Sequence, residues 1–300
     1  MCRAPGYPGG DAARAAHRAF VEACLTGGQL RTMRSASGAL SAYALTLRSD
    51  PEAALPRSYL VVERTDGADT LAWVQATLAE DAPSWPDDLE VGIPSWDAPL
   101  RRALMARGLS IESVILAGRV ERALSGLVAA YDPPRDLSHL GLSLAPVTPA
   151  HADAIVALRE RVFTAEPQFC WFGARPGYLA GVRAALLSPT RPGHRLVVLR
   201  GEQVLGFLSC TFMDDDPHHA PAGGMDLILD ASIRGQGVSK VGYRVLLEAL
   251  RDHGAEWIKG TTGQQPVMKL ARVMGREAYA TLLSRRASFP PGWFDIALGE

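Results

Sequence analysis

MDLILDASIRGQGVSKVGYRVLLEAL, Met225–Leu250, passes from strand to glycine turn to helix without a break. Asp226–Asp230 reads as a short apolar strand. Val238, Val241, Val245 and Ala249 recur at helical spacing beside Leu246 and Leu250, so the helix carries one apolar face. Between strand and helix lies Arg234-Gly235-Gln236-Gly237-Val238-Ser239. A glycine turn that opens a helix points unpaired backbone N–H groups outward at the positive end of the helix dipole. That arrangement holds a pyrophosphate, and glycine is needed because a Cβ would block close approach. Related motifs fail. A dinucleotide G-x-G-x-x-G needs glycine at 240, where Lys240 stands. The phosphate-loop pattern G-x-x-x-x-G-K-[ST] is absent, and Gly237-Val-Ser239-Lys-Val-Gly242 is one residue too long for the nucleophile elbow G-x-S-x-G.

Outward from this stretch the chain divides at YDPPRDLSHLG, Tyr131–Gly141, where two consecutive prolines stop a helix. The predicted domains are 1–135 and 141–300. In the second, Arg195–Phe212 reads as a hairpin of Leu196–Leu199 and Val204–Phe212. In the first, Ser58–Leu78 reads the same way, with Leu60-Val61-Val62 lying over Leu196-Val197-Val198. Helical regions precede each hairpin: Asp11–Leu25 with residues near Gln29–Leu47, and Pro149–Phe163 with Tyr178–Leu187. A strand and helix follow each, Asp88–Ile93 with Ala98–Arg107 and Met225–Asp230 with Gly237–Asp252. A further strand and helix come next, Ile111–Leu116 with Val120–Ala130 and Glu256–Gly260 with Pro266–Met274. The expectation is an α/β protein, an α+β mixed sheet in which one unit is duplicated. One continuous α/β domain whose hairpins merely look alike is the alternative.

Composition sets the class. Of 300 residues 47% are hydrophobic, which suffices for a sizeable core. Lys+Arg number 31 against 32 Asp+Glu, a net charge of -1, so charge argues for neither nucleic acid nor an anionic membrane as partner. The tryptophans show no stacking periodicity suited to nucleic acid. Cys2, Cys24, Cys170 and Cys210 form no C-x-x-C pair. No apolar run approaches the roughly 20 residues of a membrane span. MCRAPGYPGG lacks the apolar core of a signal peptide, so a cytoplasmic protein is expected.

Arg234–Ser239 resembles the R/Q-x-x-G-x-G/A signature of the GNAT superfamily of acyl-CoA-dependent N-acetyltransferases. Asp226–Gly237 looks like that family's fourth strand running into its pyrophosphate loop. Gln265-Pro-Val-Met-Lys-Leu-Ala-Arg-Val-Met-Gly275 is similar to its later motif beginning N-P-A, and Arg195–Phe212 resembles its second and third strands. The resemblance runs from about Gly141 to the C-terminus, and weakly across Ser58–Ala130. It implies two GNAT-like units, each a mostly antiparallel sheet flanked by helices. In the first, Pro94-Ser95-Trp96-Asp97-Ala98-Pro99 takes the place of the loop. With no glycine and two prolines, it makes that unit degenerate.

The resemblance implies an acetyl or other short acyl group moved from acyl-CoA to an amine of a small molecule or peptide, by direct attack. Leu227, Ile228, Leu229, Arg234, Gly235, Gln236, Gly237, Val238, Ser239, Lys240 and Gln265 would hold acetyl-CoA as co-substrate, with no metal. Such transfer needs a base for the amine, a donor for the oxyanion and an acid for the thiolate. Asp226 matches the place of a family Glu and is the candidate base; equally, it is a strand-start Asp binding backbone N–H groups. The oxyanion donor would be a backbone N–H near Leu229. Ala271 stands where many members carry the acidic Tyr, which leaves Tyr279 and Tyr243 as replacements. The loop Met213–Ala220 offers His218 or His219 as a proton relay; it also reads as a plain solvated loop. Arg272, Arg276 and Lys240 are either phosphate ligands or surface charge. Cys210 is an acyl-accepting thiol or, more simply, a buried inert cysteine. Trp171, Phe169 and Phe172 fall where the family shapes its acceptor pocket. The same fold also accommodates decarboxylation of an acyl-CoA, O-acylation, or a non-catalytic CoA- or partner-binding module. Monomer and homodimer are both compatible with the sequence.

Overall fold

A computed structural model describes residues 22, 28–48, 58–64, 67–81, 89–165, 177–189, 192–214, 216, 219, 221–285 and 289–299. In chain order the elements are β1 (Gly28–Arg34), β2 (Leu40–Arg48), β3 (Ser58–Arg64), α1 (Ala68–Asp81), β4 (Glu90–Pro94), α2 (Ala98–Met105), β5 (Ser110–Arg119) and α3 (Val120–Tyr131). There follow β6 (Ser143–Pro146), α4 (Ala152–Ala165), α5 (Tyr178–Leu187), β7 (Gly193–Arg200), β8 (Gln203–Met213) and β9 (Ala222–Leu229). The chain finishes with α6 (Val238–His253), β10 (Trp257–Thr262), α7 (Gln265–Val273), β11 (Glu277–Ser284) and α8 (Asp295–Leu298). Two compact units form. One comprises Met1–Leu116, Thr261–Lys269 and Glu277–Glu300, the other Ala117–Gly260 and Leu270–Arg276, so neither is a single stretch of chain.

In the first unit the strand order is β1-β2-β3-β4-β11-β5. β1–β2–β3 are antiparallel, β3 and β4 are parallel, and β11 is antiparallel to β4. Ala42, Val62, Val74, Leu78, Val91, Ile93, Leu100 and Leu283 share its core. Two expectations fail here. Ser58–Leu78 is not a hairpin: after β3 the chain turns into α1, whose buried positions Thr70, Val74, Thr77 and Leu78 fall at helical spacing. A parallel β3–β4 pair needs a crossover, and α1 supplies it. Residues near Gln29–Leu47 form the β1–β2 hairpin rather than helix. Its turn closes through Ser35 N–H to Ala39 O (2.8 Å), with Gly38 at φ 81°. Asp11–Leu25 lies outside the described residues save Glu22.

In the second unit the order is β10-β9-β8-β7-β6, antiparallel except for β9–β10. The hairpin expected at Arg195–Phe212 is β7–β8. Ile155, Leu158 and Val162 of α4 pack on Val197, Phe207 and Ile228. Gly242 of α6 faces Leu208 and Leu227. Because neighbours on a strand point to opposite sides, α4 and α6 cover opposite faces of the sheet. The fold is mixed α/β with mostly antiparallel sheet flanked by helices.

The order of elements repeats. β1-β2-β3-α1-β4-α2-β5 and β7-β8-β9-α6-β10-α7-β11 are each three antiparallel strands, a helix, a strand parallel to the third, a helix and a strand. β3 therefore occupies the place of β9, not that of β7, and the overlay of Leu60-Val61-Val62 on Leu196-Val197-Val198 is out of step by two strands. In that order of elements the connection between β3 and α1, not Pro94–Pro99, has the place that Arg234–Ser239 has between β9 and α6.

Candidate functional site

β9 and Trp257–Gly260 of β10, both in the second unit, part after a short ladder. Their ladder consists of Trp257↔Ala222, Ile258↔Gly223 and Lys259↔Gly224, and no further rung joins them among the described residues. From Met225 to Leu229 the edge of β9 that faces β10 is thus open, and a slot begins where pairing ends. On its other edge β9 pairs with β8 along its whole length.

The expected turn stands above β9. Asp230 accepts from Ser232 N–H (3.0 Å), fixing a short 3-10 turn at Ala231–Ile233. Arg234 Nε donates to Leu229 O (3.0 Å) and Gln236 Nε2 to Ser232 O (2.8 Å), so these side chains brace the loop. Gly235 (φ 78°) and Gly237 (φ 87°) are left-handed, and a Cβ on either would meet nothing within 4 Å. Glycine is demanded here by backbone conformation and not by crowding in the folded chain. Gly237 caps α6 without a side-chain bond. Among the described residues, no acceptor takes the backbone N–H groups of Gly235–Ser239; the series of turn bonds resumes at Lys240 N–H to Gly237 O (2.9 Å). Five consecutive N–H groups without a backbone acceptor thus stand at the start of a sixteen-residue helix.

Polar groups converge on the slot. Leu227 faces α6, so Asp226 faces α4. There Arg159 Nη2 donates to Asp226 Oδ2, while Nη1 donates to the Tyr178 hydroxyl (2.9 Å). The Asp226 side chain is 45% exposed and that of Arg159 13%. Burial works against the Arg159 charge, but Asp226 and Tyr178 outweigh it and its pKa is raised. Burial also raises the Tyr178 hydroxyl against the opposing pull of Arg159. On the α6 side Tyr243 is buried, and its hydroxyl accepts from Arg276. Burial holds this phenol protonated against that guanidinium, with the Asp226 charge acting in the same direction as burial. A Cβ on Gly260 would lie 2.9 Å from Arg276 Nη2 and 3.7 Å from Met225 O, so glycine on β10 makes room for this guanidinium where the slot begins.

The remaining sequence candidates distribute as follows. Ile228 is core, and Leu229 O is taken by Arg234. The Lys240 ammonium sits 3.8 Å over the Tyr131 ring. Arg276 is neither surface charge nor poised for phosphate; it is buried against Tyr243. Arg272 is exposed. Gln265 Nε2 donates to Trp293 O (3.2 Å) and Tyr279 O accepts from Ser95 N–H (3.1 Å), both within the first unit. Cys210 is wholly buried, and burial raises its thiol. His219 is not a solvated relay. It is 4% exposed, its N–H donates to Asp216 Oδ1 (2.8 Å), and its ring meets the edge of Trp257. Burial, with the Lys259 charge, pushes its pKa down to about 4, so at neutral pH it is uncharged. Lys259 Nζ binds Asp216 Oδ2 at 2.7 Å. The loop read as solvated supplies a buried ion pair. His218, Phe169, Cys170, Trp171 and Phe172 lie outside the described residues. No group of His, Cys, Asp or Glu suited to a metal occurs among the described residues.

Arg159, Tyr178 and the Tyr243–Arg276 pair went unread as a set. Arg159 left a trace: it follows Ile155 by four residues and precedes Val162 by three, a charge on the apolar face of its helix.

Residues 156–275 match the model of the acetyltransferase (GNAT) family. The fold is a GNAT fold. A GCN5-related N-acetyltransferase from Kribbella flavida superposes with a TM-score of 0.51 at 15% identity, covering 94% of this chain and 98% of that one. One from Sphaerobacter thermophilus gives 0.53 at 13%, over 87% and 82%. A functionally unknown conserved protein from Staphylococcus epidermidis gives 0.50 at 11%, over 85% and 94%. At such identities the likeness is one of fold. No curated protein matches the chain. GNAT folds serve acyl transfer in general. No helix among the described residues is long and apolar enough to cross a membrane.

Proposed function

We propose that the second unit takes an acyl-CoA and passes its acetyl or other short acyl group to an amine. The observation that carries this is the run of five unengaged N–H groups, Gly235–Ser239, standing beside the slot that opens at Met225. The N–H run would hold the pyrophosphate, and the slot would take the arm that bears the thioester. The amine nitrogen attacks the thioester carbonyl, the C–S bond breaks, and the proton lost by nitrogen balances the one gained by sulfur. Asp226 receives the amine proton in our reading, directly or through a water. A phenol returns one to sulfur. Tyr243 is favoured over Tyr279 because it belongs to the same unit and burial keeps it protonated.

We further read the first unit as a degenerate copy. Its turn into α1 carries Gly67 but also Asp69 in the first helical turn, and Arg64 is tied to Asp97 (2.6 Å). An acid at that place repels phosphate. The protein is read as cytoplasmic, without metal.

Calorimetric titration of acetyl-CoA into the wild type and Gly237→Glu tests this. Micromolar binding that vanishes in a folded Gly237→Glu is expected, since the new side chain puts both a strained φ and a carboxylate among the donors. Failure of a folded wild type to bind would overturn the proposal.

A further inference from the structure

The pair Arg159–Asp226 at the mouth of the slot has an asymmetry that bears on the acceptor. The carboxylate is open to solvent and the guanidinium lies behind it, 45% against 13% exposed. Asp226 has one oxygen committed to Arg159, and its Oδ1 has no hydrogen-bond partner among the described residues. Arg159 has five N–H donors. One goes to Asp226 and one to Tyr178, and Nε–H is buried without an acceptor among the described residues. Together the two side chains carry no net charge.

A bare ammonium at Asp226 would bring a second positive charge against Arg159, with one carboxylate between them. The nearly buried guanidinium would then share its counter-charge with the ligand, which is costly where water is scarce. A ligand that carries its own carboxylate removes the conflict. Its ammonium takes Asp226, its carboxylate accepts from the Nη N–H groups of Arg159 not given to Asp226 or Tyr178, and the site stays neutral. Arg159 and Asp226 touch, so the ligand's two groups must also be close, with one or two carbons between them. Phe163, stacked on Tyr178 at 5.8 Å and lying 5.3 Å from the Arg159 guanidinium, walls the same place.

Resting on the acyl-transfer reading, we propose that the acceptor is a small amino acid-like zwitterion, its amine bound at Asp226 and its carboxylate at Arg159. Transfer requires the amine to lose its proton, and Asp226 is the group in contact with it.

The test measures free thiol released from acetyl-CoA with each of a panel of α- and β-amino acids, against the amines that result from removing the carboxyl group. At least one amino acid is expected to exceed its matched amine by about 100-fold, and Arg159→Gln to bring that ratio near one, with Arg159→Lys between. Amines serving as well as amino acids, or no response to any panel member, would overturn the proposal. Acetyl-CoA binding is measured on the same sample. Binding without amino acid-dependent release sinks the zwitterion alone, whereas absence of binding sinks the acyl-CoA reading and this proposal with it. Should Arg159→Gln fail to fold, the wild-type panel still decides.

Discussion

Asp226 was legible as a candidate because it matches the place of a family Glu on the strand that resembles the one running into the family's pyrophosphate loop. Its partner was not. Arg159 lies far off in sequence, and only packing of α4 on β9 brings the two together. Asp226→Asn keeps the shape but loses the proton acceptor, so turnover should fall by about 10²–10⁴-fold while acetyl-CoA affinity holds. Steady-state kinetics beside calorimetry checks the split. His219 shows the opposite failure, a residue whose type signalled proton transfer and whose burial withdraws it. With an ordinary pKa of 6.5 unfolded and about 4 folded, the unfolded state takes up the proton first as pH falls below 6.5. Stability should then decline between pH 6.5 and 4, by about 3 kcal/mol in all at ~1.4 kcal/mol per pH unit. Denaturant unfolding of the wild type and His219→Gln across that range should show the variant with the shallower slope.

At the scale of elements, α6 was readable almost to the residue, because its apolar spacing and its glycine opening both lie within one continuous stretch. How tightly it seats was not readable. A Cβ on Gly223 of β9 would fall 2.1 Å from Leu250 Cδ2 and 2.9 Å from its Cγ, so α6 rests directly on strand backbone there. Gly223→Ala should cost ~1–3 kcal/mol by overpacking, measured as a lowered urea midpoint at unchanged slope. α1 was misread for a physical reason. Leu71-Ala72-Trp73-Val74 has apolar side chains enough for a strand, and so short an apolar run does not by itself tell a strand from a buried helix. The parallel register of β3 with β4 made that choice.

At the scale of the whole molecule, the two compact units do not divide at the prolines: Ala117–Tyr131 precedes them yet belongs to the second unit, and Glu277–Glu300 follows them yet belongs to the first. β11 sits between β4 and β5 in the sheet of the first unit, although it comes after every element of the second. A fragment ending at residue 135 therefore lacks a central strand and leaves β4 with bare N–H and C=O groups. Expressed alone, residues 1–135 should be aggregated or without a cooperative unfolding transition. Circular dichroism and light scattering would check this, with a soluble, cooperatively unfolding fragment as the contrary result.

What the amino-acid order determined unaided is local: the glycine turn with its donors, the apolar face of α6, the β7–β8 hairpin, and the likeness to GNAT acetyltransferases. Each depends on residues a few positions apart, where backbone geometry and spacing suffice. Tertiary structure alone decided that β9 and β10 part after Gly224, that Arg159 stands behind Asp226, that Tyr243 and Arg276 pair under the slot, and that Lys259, Asp216 and His219 are buried together. Each of these unites segments separated by tens of residues. Burial, desolvation and the reach of a guanidinium depend on what lies across the gap, and that is absent from any single stretch of chain.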